Sequence, residues 1–182
     1  MSYDPPLFAK YKVEEHNLFK EWFFDEFQYW LDDNKKVGGN MWNTDFRTDR
    51  DKRPYTKLAN KFLGPYIEDF AKKWNAEIHP KKGGGIFDIT WWFAEYEEND
   101  DHQWHIHPGS LFGCVYMLEL PDPRLATELD GKDLKAEEGD LIIFPAQWPH
   151  RSPVNKDISN KKTVLAANIF WDRIAHPKYE VR

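Results

Sequence analysis

The feature that most limits the fold is a change of hydrophobic rhythm at Lys81-Lys82-Gly83-Gly84-Gly85. Before it, apolar residues recur at steps of three and four. After it, they come in short runs separated by turn residues. Over 15–32, Leu18, Phe19, Trp22, Phe23, Phe27, Trp30 and Leu31 are interleaved with Glu, Asp and Lys. That spacing places the apolar side chains on one side of a helix and the charges on the other, and the Gly38-Gly39 pair marks where it must have stopped. Residues 35–53 are polar and read as a loop. Leu58, Phe62, Tyr66, Phe70 and Trp74 predict a second helix over 57–75. Gly64-Pro65 falls in its middle, and proline removes a helix hydrogen bond, so two short helices and one kinked helix both fit.

Beyond the glycine run, Ile86 to Tyr96, Leu111 to Leu120, Asp140 to Phe144 and Thr163 to Trp171 have strand composition, with Asp130-Gly131 and Glu138-Gly139 as turns. Short strands with turns between them predict a mainly β sandwich or barrel, its N-terminal helices bracing one sheet. The chain of 182 residues fits a single domain, 1–182, with a mainly helical part over 1–80 and a β core over 86–171. Aromatic residues make up 16% of it, including nine Trp, and flat rings suit the layer between two sheets.

The net charge of −6, with both signs mixed along the chain, argues against a nucleic-acid partner, which requires a basic face. The single cysteine, Cys114, lies in an apolar run and reads as a buried structural thiol. No apolar stretch reaches the ~20 residues that span a bilayer, and Met1-Ser2-Tyr3-Asp4-Pro5-Pro6 has no leader pattern, so the expected location is cytoplasmic. The aromatic N-terminal helix offers a face on which a second copy could pack as a homodimer.

Histidine placement carries the functional signal. Of seven histidines, His102, His105 and His107 fall within one short stretch. If that stretch is extended, His105 and His107 point to the same face, because strand side chains alternate. By itself the pair equally describes two polar residues on an exposed strand. The second element is Gly139-Asp140-Leu141-Ile142-Ile143-Phe144-Pro145, a turn and an apolar strand, followed by the Trp148-Pro149-His150 corner. A histidine arriving there could complete three ligands on one side of a metal and leave the other side open for chemistry.

The run His105-x-His107-Pro108-Gly109-Ser110-Leu111-x-Gly113-x-Val115-Tyr116, with Gly139-Asp140-Leu141-x-x-Phe144-Pro145 and His150, resembles the Fe(II)/2-oxoglutarate-dependent oxygenases, in particular a subgroup with an HxHP metal motif. The resemblance covers roughly 86–171. It implies a double-stranded β-helix (a jelly-roll, cupin-like), Fe(II) held in its mouth, and 2-oxoglutarate as cosubstrate. His105 and His150 then take the places of two iron ligands. His107 stands where the family commonly has a carboxylate, so the third ligand is His107 or a carboxylate such as Asp101. Lys162 stands where a basic residue holds the far carboxylate of 2-oxoglutarate, with Arg151 as the other basic residue at hand. The bland reading of Lys161 and Lys162 is two exposed lysines in a turn. Tyr116 and Asn168 match polar positions of the subgroup and serve either as cosubstrate contacts or as core hydrogen-bonding residues.

The resemblance implies oxidative decarboxylation of 2-oxoglutarate to succinate with hydroxylation of a small-molecule or peptide substrate. Such chemistry favours a shielded pocket, and Trp104, Phe112, Trp148 and Trp171 are candidate walls. Two other readings share the fold. One is a cupin-type metalloenzyme of another reaction class, although Pro108 to Gly113 lacks the carboxylate that cupins place after HxH. The other is a non-catalytic jelly-roll that binds a ligand or a partner. Substrate-selecting loops are expected over 35–53 and 121–138.

Overall fold

The structure is a computed structural model and describes residues 8–33, 43–73, 87–156 and 161–171. In chain order it contains β1 (Ala9–Lys12), α1 (His16–Asp33), β2 (Asn43–Thr44), a 3-10 turn (Arg50–Lys52), α2 (Thr56–Lys73), β3 (Phe87–Tyr96), β4 (His102–His105), β5 (Phe112–Glu119), a 3-10 turn (Pro123–Leu125), β6 (Glu128–Leu129), β7 (Asp140–Pro145), β8 (His150–Ser152) and β9 (Lys162–Trp171). Two antiparallel sheets result. The large one has the order β1-β7-β5-β9-β3-β2, and the small one β4-β8-β6.

The apolar runs read as strands because the large sheet is covered on both faces, so neither side of its strands meets water. Trp91, Phe93, Cys114, Tyr116, Leu118, Leu141, Ile143, Leu165, Ala167 and Ile169 face the helices. Their strand neighbours Trp92, Ala94, Tyr96, Val115, Met117, Ile142, Phe144, Val164 and Ala166 face inward with Leu125, Ala126 and Leu129. The stretch 121–138, expected as a selecting loop, thus supplies part of the inner core. Cys114 is buried as expected, and burial pushes its thiol pKa far up.

Both predicted helices form. Phe19, Phe23, Phe27 and Leu31 of α1 pack in the same core as the outer face of the large sheet, while Leu18, Trp22 and Tyr29 of the same helix stay exposed. Gly64-Pro65 does not divide α2, which runs through both residues. Phe62 and Leu63 on one side of the proline, and Ile67 and Phe70 on the other, are all buried. At about 1.5–3 kcal/mol each, these four side chains outweigh the ~3 kcal/mol that an interior proline costs. Trp74 lies outside the described residues.

Four strands fall outside the expected runs: β6 and β8, which pair with each other, and two more. β1 pairs with β7, Ala9 opposite Ile143, and β2 lies inside the stretch read as loop, pairing with β3 at Glu95 and Ala94. Neither is long enough to display a period. Among the described residues no helix is long and apolar enough to cross a membrane.

Candidate metal centre

The small sheet carries the histidines. His105 ends β4 and lies directly opposite His150, the first residue of β8. His107 lies beyond the strand, not on it. Its backbone N–H donates to the Ala146 carbonyl at 2.8 Å, which ties this segment to the turn after β7. Each of the three imidazoles offers a ligand atom, and these atoms lie within 4.8 Å of one another.

The hydrogen bonds around the rings fix which nitrogens are free. His105 Nδ1 is 2.7 Å from the Gln103 carbonyl, and His150 Nδ1 is 3.0 Å from the Trp148 carbonyl. A carbonyl only accepts, so both Nδ1 atoms carry the proton and both Nε2 atoms present lone pairs. His107 Nε2 lies 3.0 Å from His150 Nε2. Either His107 donates to that lone pair, or both lone pairs address one cation between them. Three nitrogen donors converging from one side fit a divalent transition metal with open positions.

Burial also sets the charge state. His150 is pushed down to about 3, chiefly by desolvation and then by His105. Desolvation, followed by His105, lowers His107 to about 4, and His105 is lowered by desolvation as well. All three are therefore neutral near neutral pH, the form a metal requires. His102 stacks on His105 with ring centroids 3.6 Å apart and is itself pushed down to about 3 by burial and by the other histidines.

Asp101 is not in the converging set. The Gln103 side-chain amide donates to its carboxylate instead. His107, not Asp101, therefore stands with His105 and His150.

Lys162 is fully buried, contrary to the exposed-turn reading. Its ammonium donates to Ser152 Oγ at 2.6 Å and lies 4.9 Å from the centroid of the Tyr96 ring. Desolvation lowers its pKa to about 7. Alternation along β9 puts Lys162, Val164, Ala166 and Asn168 on the inner face. Ser152 likewise follows His150 by two residues on β8, roughly 6.6 Å along the strand. The ammonium thus reaches across from the large sheet to a point about that far from a histidine of the set. Asn168 is half-buried on the same inner face, its amide oxygen 3.5 Å from the Ser110 hydroxyl.

Of the remaining expected site residues, only Arg151 among those described borders the histidine cavity. Tyr116 points to the helix side, where its hydroxyl is 2.6 Å from His16 Nδ1, so it belongs to the outer core and cannot reach the histidines. Arg151 alternates away from His150. Its Nε donates to Glu128 at 2.7 Å and its guanidinium covers the Trp104 ring at 4.9 Å. Trp104 is 45% exposed and Phe112 packs on Phe70 in the outer core, so neither forms a wall. Trp148 packs at a tilt against Phe8, and the Trp171 side chain lies outside the described residues. The walls are Trp92, 5.5 Å from His107, and Phe144, 4.7 Å from His150, both between ring centroids. Neither is among the walls expected from the sequence, although Phe144 belongs to the strand motif before His150. Their place beside Trp91 and Ile143, on the opposite parity of the same strands, was the available signal. The cavity at the histidines is about 40 Å³, near the ~30 Å³ a water occupies, so it takes an ion as it stands but needs side-chain movement for a dicarboxylate.

No family model matches the sequence, and no curated protein matches it. Solved structures do match. A Pseudomonas putida prolyl-4-hydroxylase aligns with TM-score 0.62 at 12% identity over 90% of this chain and 92% of that one. A Trichoplax adhaerens prolyl hydroxylase, in complex with a hypoxia-inducible-factor peptide, aligns with TM-score 0.62 at 13% identity over 92% and 84%. The non-heme α-ketoglutarate-dependent epimerase SnoN aligns with TM-score 0.66 at 11% identity over 92% and 79%. At such identities the likeness is one of architecture, and the chain is built on the jelly-roll that these enzymes share.

Proposed function

We propose that the chain is an Fe(II)/2-oxoglutarate-dependent oxygenase that hydroxylates a small-molecule or peptide substrate. The observation that carries the reading is the convergence of His105, His107 and His150, neutral and with Nδ1 of two of them already engaged. Solved enzymes of the same fold, described as prolyl hydroxylases and an α-ketoglutarate-dependent epimerase, support it.

His105, His107 and His150 would hold the iron. When bound, iron supplies the oxidative decarboxylation of 2-oxoglutarate by O₂, giving succinate, CO₂ and one oxygen atom for the substrate. The residues of the chain do the rest. Three imidazoles contribute no charge, so the centre stays more positive than one with a carboxylate ligand. That raises its demand for the anionic oxoacid. Lys162 holds the far carboxylate as a point charge, and the approaching anion restores the proton that burial had made easy to lose. Trp92 and Phe144 keep water from the reacting atoms.

Anaerobic Fe(II) titration tests the ligand set. His105→Ala and His150→Ala are expected to abolish stoichiometric binding, and His107→Asp to retain it, since a carboxylate restores the commoner triad. Wild-type affinity in either alanine variant would remove that residue from the set. Succinate formation from 2-oxoglutarate without added substrate tests the cosubstrate. An iron-loaded protein that neither binds nor turns over the oxoacid would be a cupin-type enzyme of another class or a binding module.

A further inference from the structure

A larger opening, about 450 Å³, lies at the edge of the large sheet between β3 and α2. Its floor is an incomplete strand edge. β2 pairs with β3 only at Glu95 and Ala94. Beyond that point side chains stand in for a strand. Asp45 Oδ1 accepts from the Phe93 N–H at 3.1 Å, the Thr44 hydroxyl donates to the Phe93 carbonyl at 2.7 Å, and the Arg53 guanidinium donates to the Trp91 carbonyl. These bonds show that the odd-numbered residues of β3 turn their backbone groups toward this edge. The Ile169 carbonyl, opposite Ile89 in the register with β9, is taken by the Leu111 N–H, which agrees. The Trp91 N–H and both backbone groups of Ile89 therefore face the opening. Among the described residues no strand pairs with them.

The other wall is α2, which presents Asn60, Gly64 and Ile67. Gly64 leaves room there: a Cβ at this position would meet nothing within 4 Å. The rim is acidic. Among the described lining residues, Asp51, Glu68 and Asp88 stand beside Arg50, which is already bound to Asp88 at 2.5 Å, while the Arg53 guanidinium is spent on backbone carbonyls. Backbone groups in strand register, a gap beside them and a surplus of carboxylates define one kind of occupant.

We propose that this groove binds an extended basic polypeptide segment, added as a strand to the free edge of β3. Strand addition takes its affinity from main-chain bonds and its selectivity from the alternating side chains. Here Lys or Arg at the helix-facing positions meets Glu68, which shares a face of α2 with Gly64, and Asp51 lies on the same rim. The intervening side chains turn to the opposite face, beside Asp88 and Thr90. Binding does not require iron. Its consequence rests on the oxygenase reading: Trp92, on the same strand, lies 5.5 Å from His107, so a segment docked here is held one strand away from the proposed iron.

The probe is a fluorescein-labelled Lys-Val-Lys-Thr-Lys-Val peptide, followed by anisotropy at low salt, where exposed charges are least screened. Saturable binding on the order of 0.1 mM is expected, weak because ordering a free segment offsets much of the gain. Asp51→Lys combined with Glu68→Lys should weaken it about tenfold, as should methylation of alternate peptide nitrogens, each loss comparable to one or two hydrogen bonds. The Ile89 and Trp91 amides should exchange quickly in the free protein and slowly with peptide. Equal binding of a Glu-for-Lys peptide or of the methylated one overturns the proposal, as does slow exchange of both amides without peptide. His105→Ala should leave peptide binding unchanged, and the double lysine variant should leave substrate-free succinate formation unchanged. A protein that makes no succinate yet binds the peptide therefore loses the oxygenase reading and keeps the groove.

Discussion

Lys162 is the residue whose placement most needs a reason. A buried ammonium with one hydroxyl and one aromatic face for company is poorly compensated, and its fall from 10.5 to about 7 expresses that. The sign follows from linkage. Between pH 7 and 10.5 the unfolded chain keeps a proton that the folded chain has given up, so stability rises with pH across that window. Below pH 7 both states are charged and the full penalty applies. Lys162→Met should therefore stabilise the protein at pH 7 by about 1–3 kcal/mol, as replacing buried charge with a similar apolar volume often does. Urea midpoints at pH 7 and 10 should differ for the wild type and converge for the variant. The same substitution should weaken 2-oxoglutarate by roughly tenfold to a hundredfold, the worth of a charge-assisted contact, with Fe(II) affinity intact. A variant less stable at pH 7 would show that Ser152 and Tyr96 compensate the charge fully.

At the scale of elements, α2 shows packing overriding local propensity. Its centre, Gly64-Pro65, is the poorest helix-forming pair in either helix, yet the helix runs through it with buried residues on both sides. Gly64→Ala adds a Cβ into open space and removes unfolded-state freedom, so it should raise stability by about 0.5–1 kcal/mol in urea denaturation. No gain would mean that the helix is distorted at this turn. β4 illustrates the opposite case. The alternation argument for His105 and His107 assumes one strand, but the strand stops at His105. A backbone bond to Ala146 turns His107 to the same place by a different route.

For the molecule as a whole, the depressed histidines make acid the natural denaturant. Unfolded imidazoles take protons near pH 6.5, whereas His150 and His102 wait until about 3 and His107 until about 4. The unfolded state thus binds more protons below 6.5, and stability is lost as pH falls through that range toward 3–4. The melting temperature of metal-free protein should drop along that interval. Bound metal, which needs neutral imidazoles, should hold the temperature up to a lower pH before protons displace it. Replacing both His105 and His150 with Gln should flatten the metal-free profile. A profile as steep as the wild type would place the acid-sensitive groups elsewhere.

The sequence by itself determined what depends on period and chemistry. Residues 15–32 and 57–75 display whole helical turns, and the β runs are long enough to show they are buried on both faces, so these elements were legible. His105 and His150 were legible too, since HxH and a later strand-end histidine are local signals. Tertiary structure decided the remainder, because each of those features depends on a partner distant in sequence. Tyr116 and Val115 differ only in which face meets the helices. Lys162 becomes a buried cation, rather than a turn lysine, only when β9 brings it opposite Ser152. β1 and β2 are too short to stand without β7 and β3, and Ile89 has no pairing strand on that side among the described residues because β2 ends where it does. One residue of register moves a side chain to the other face of a sheet, and register is set by the whole assembly of strands.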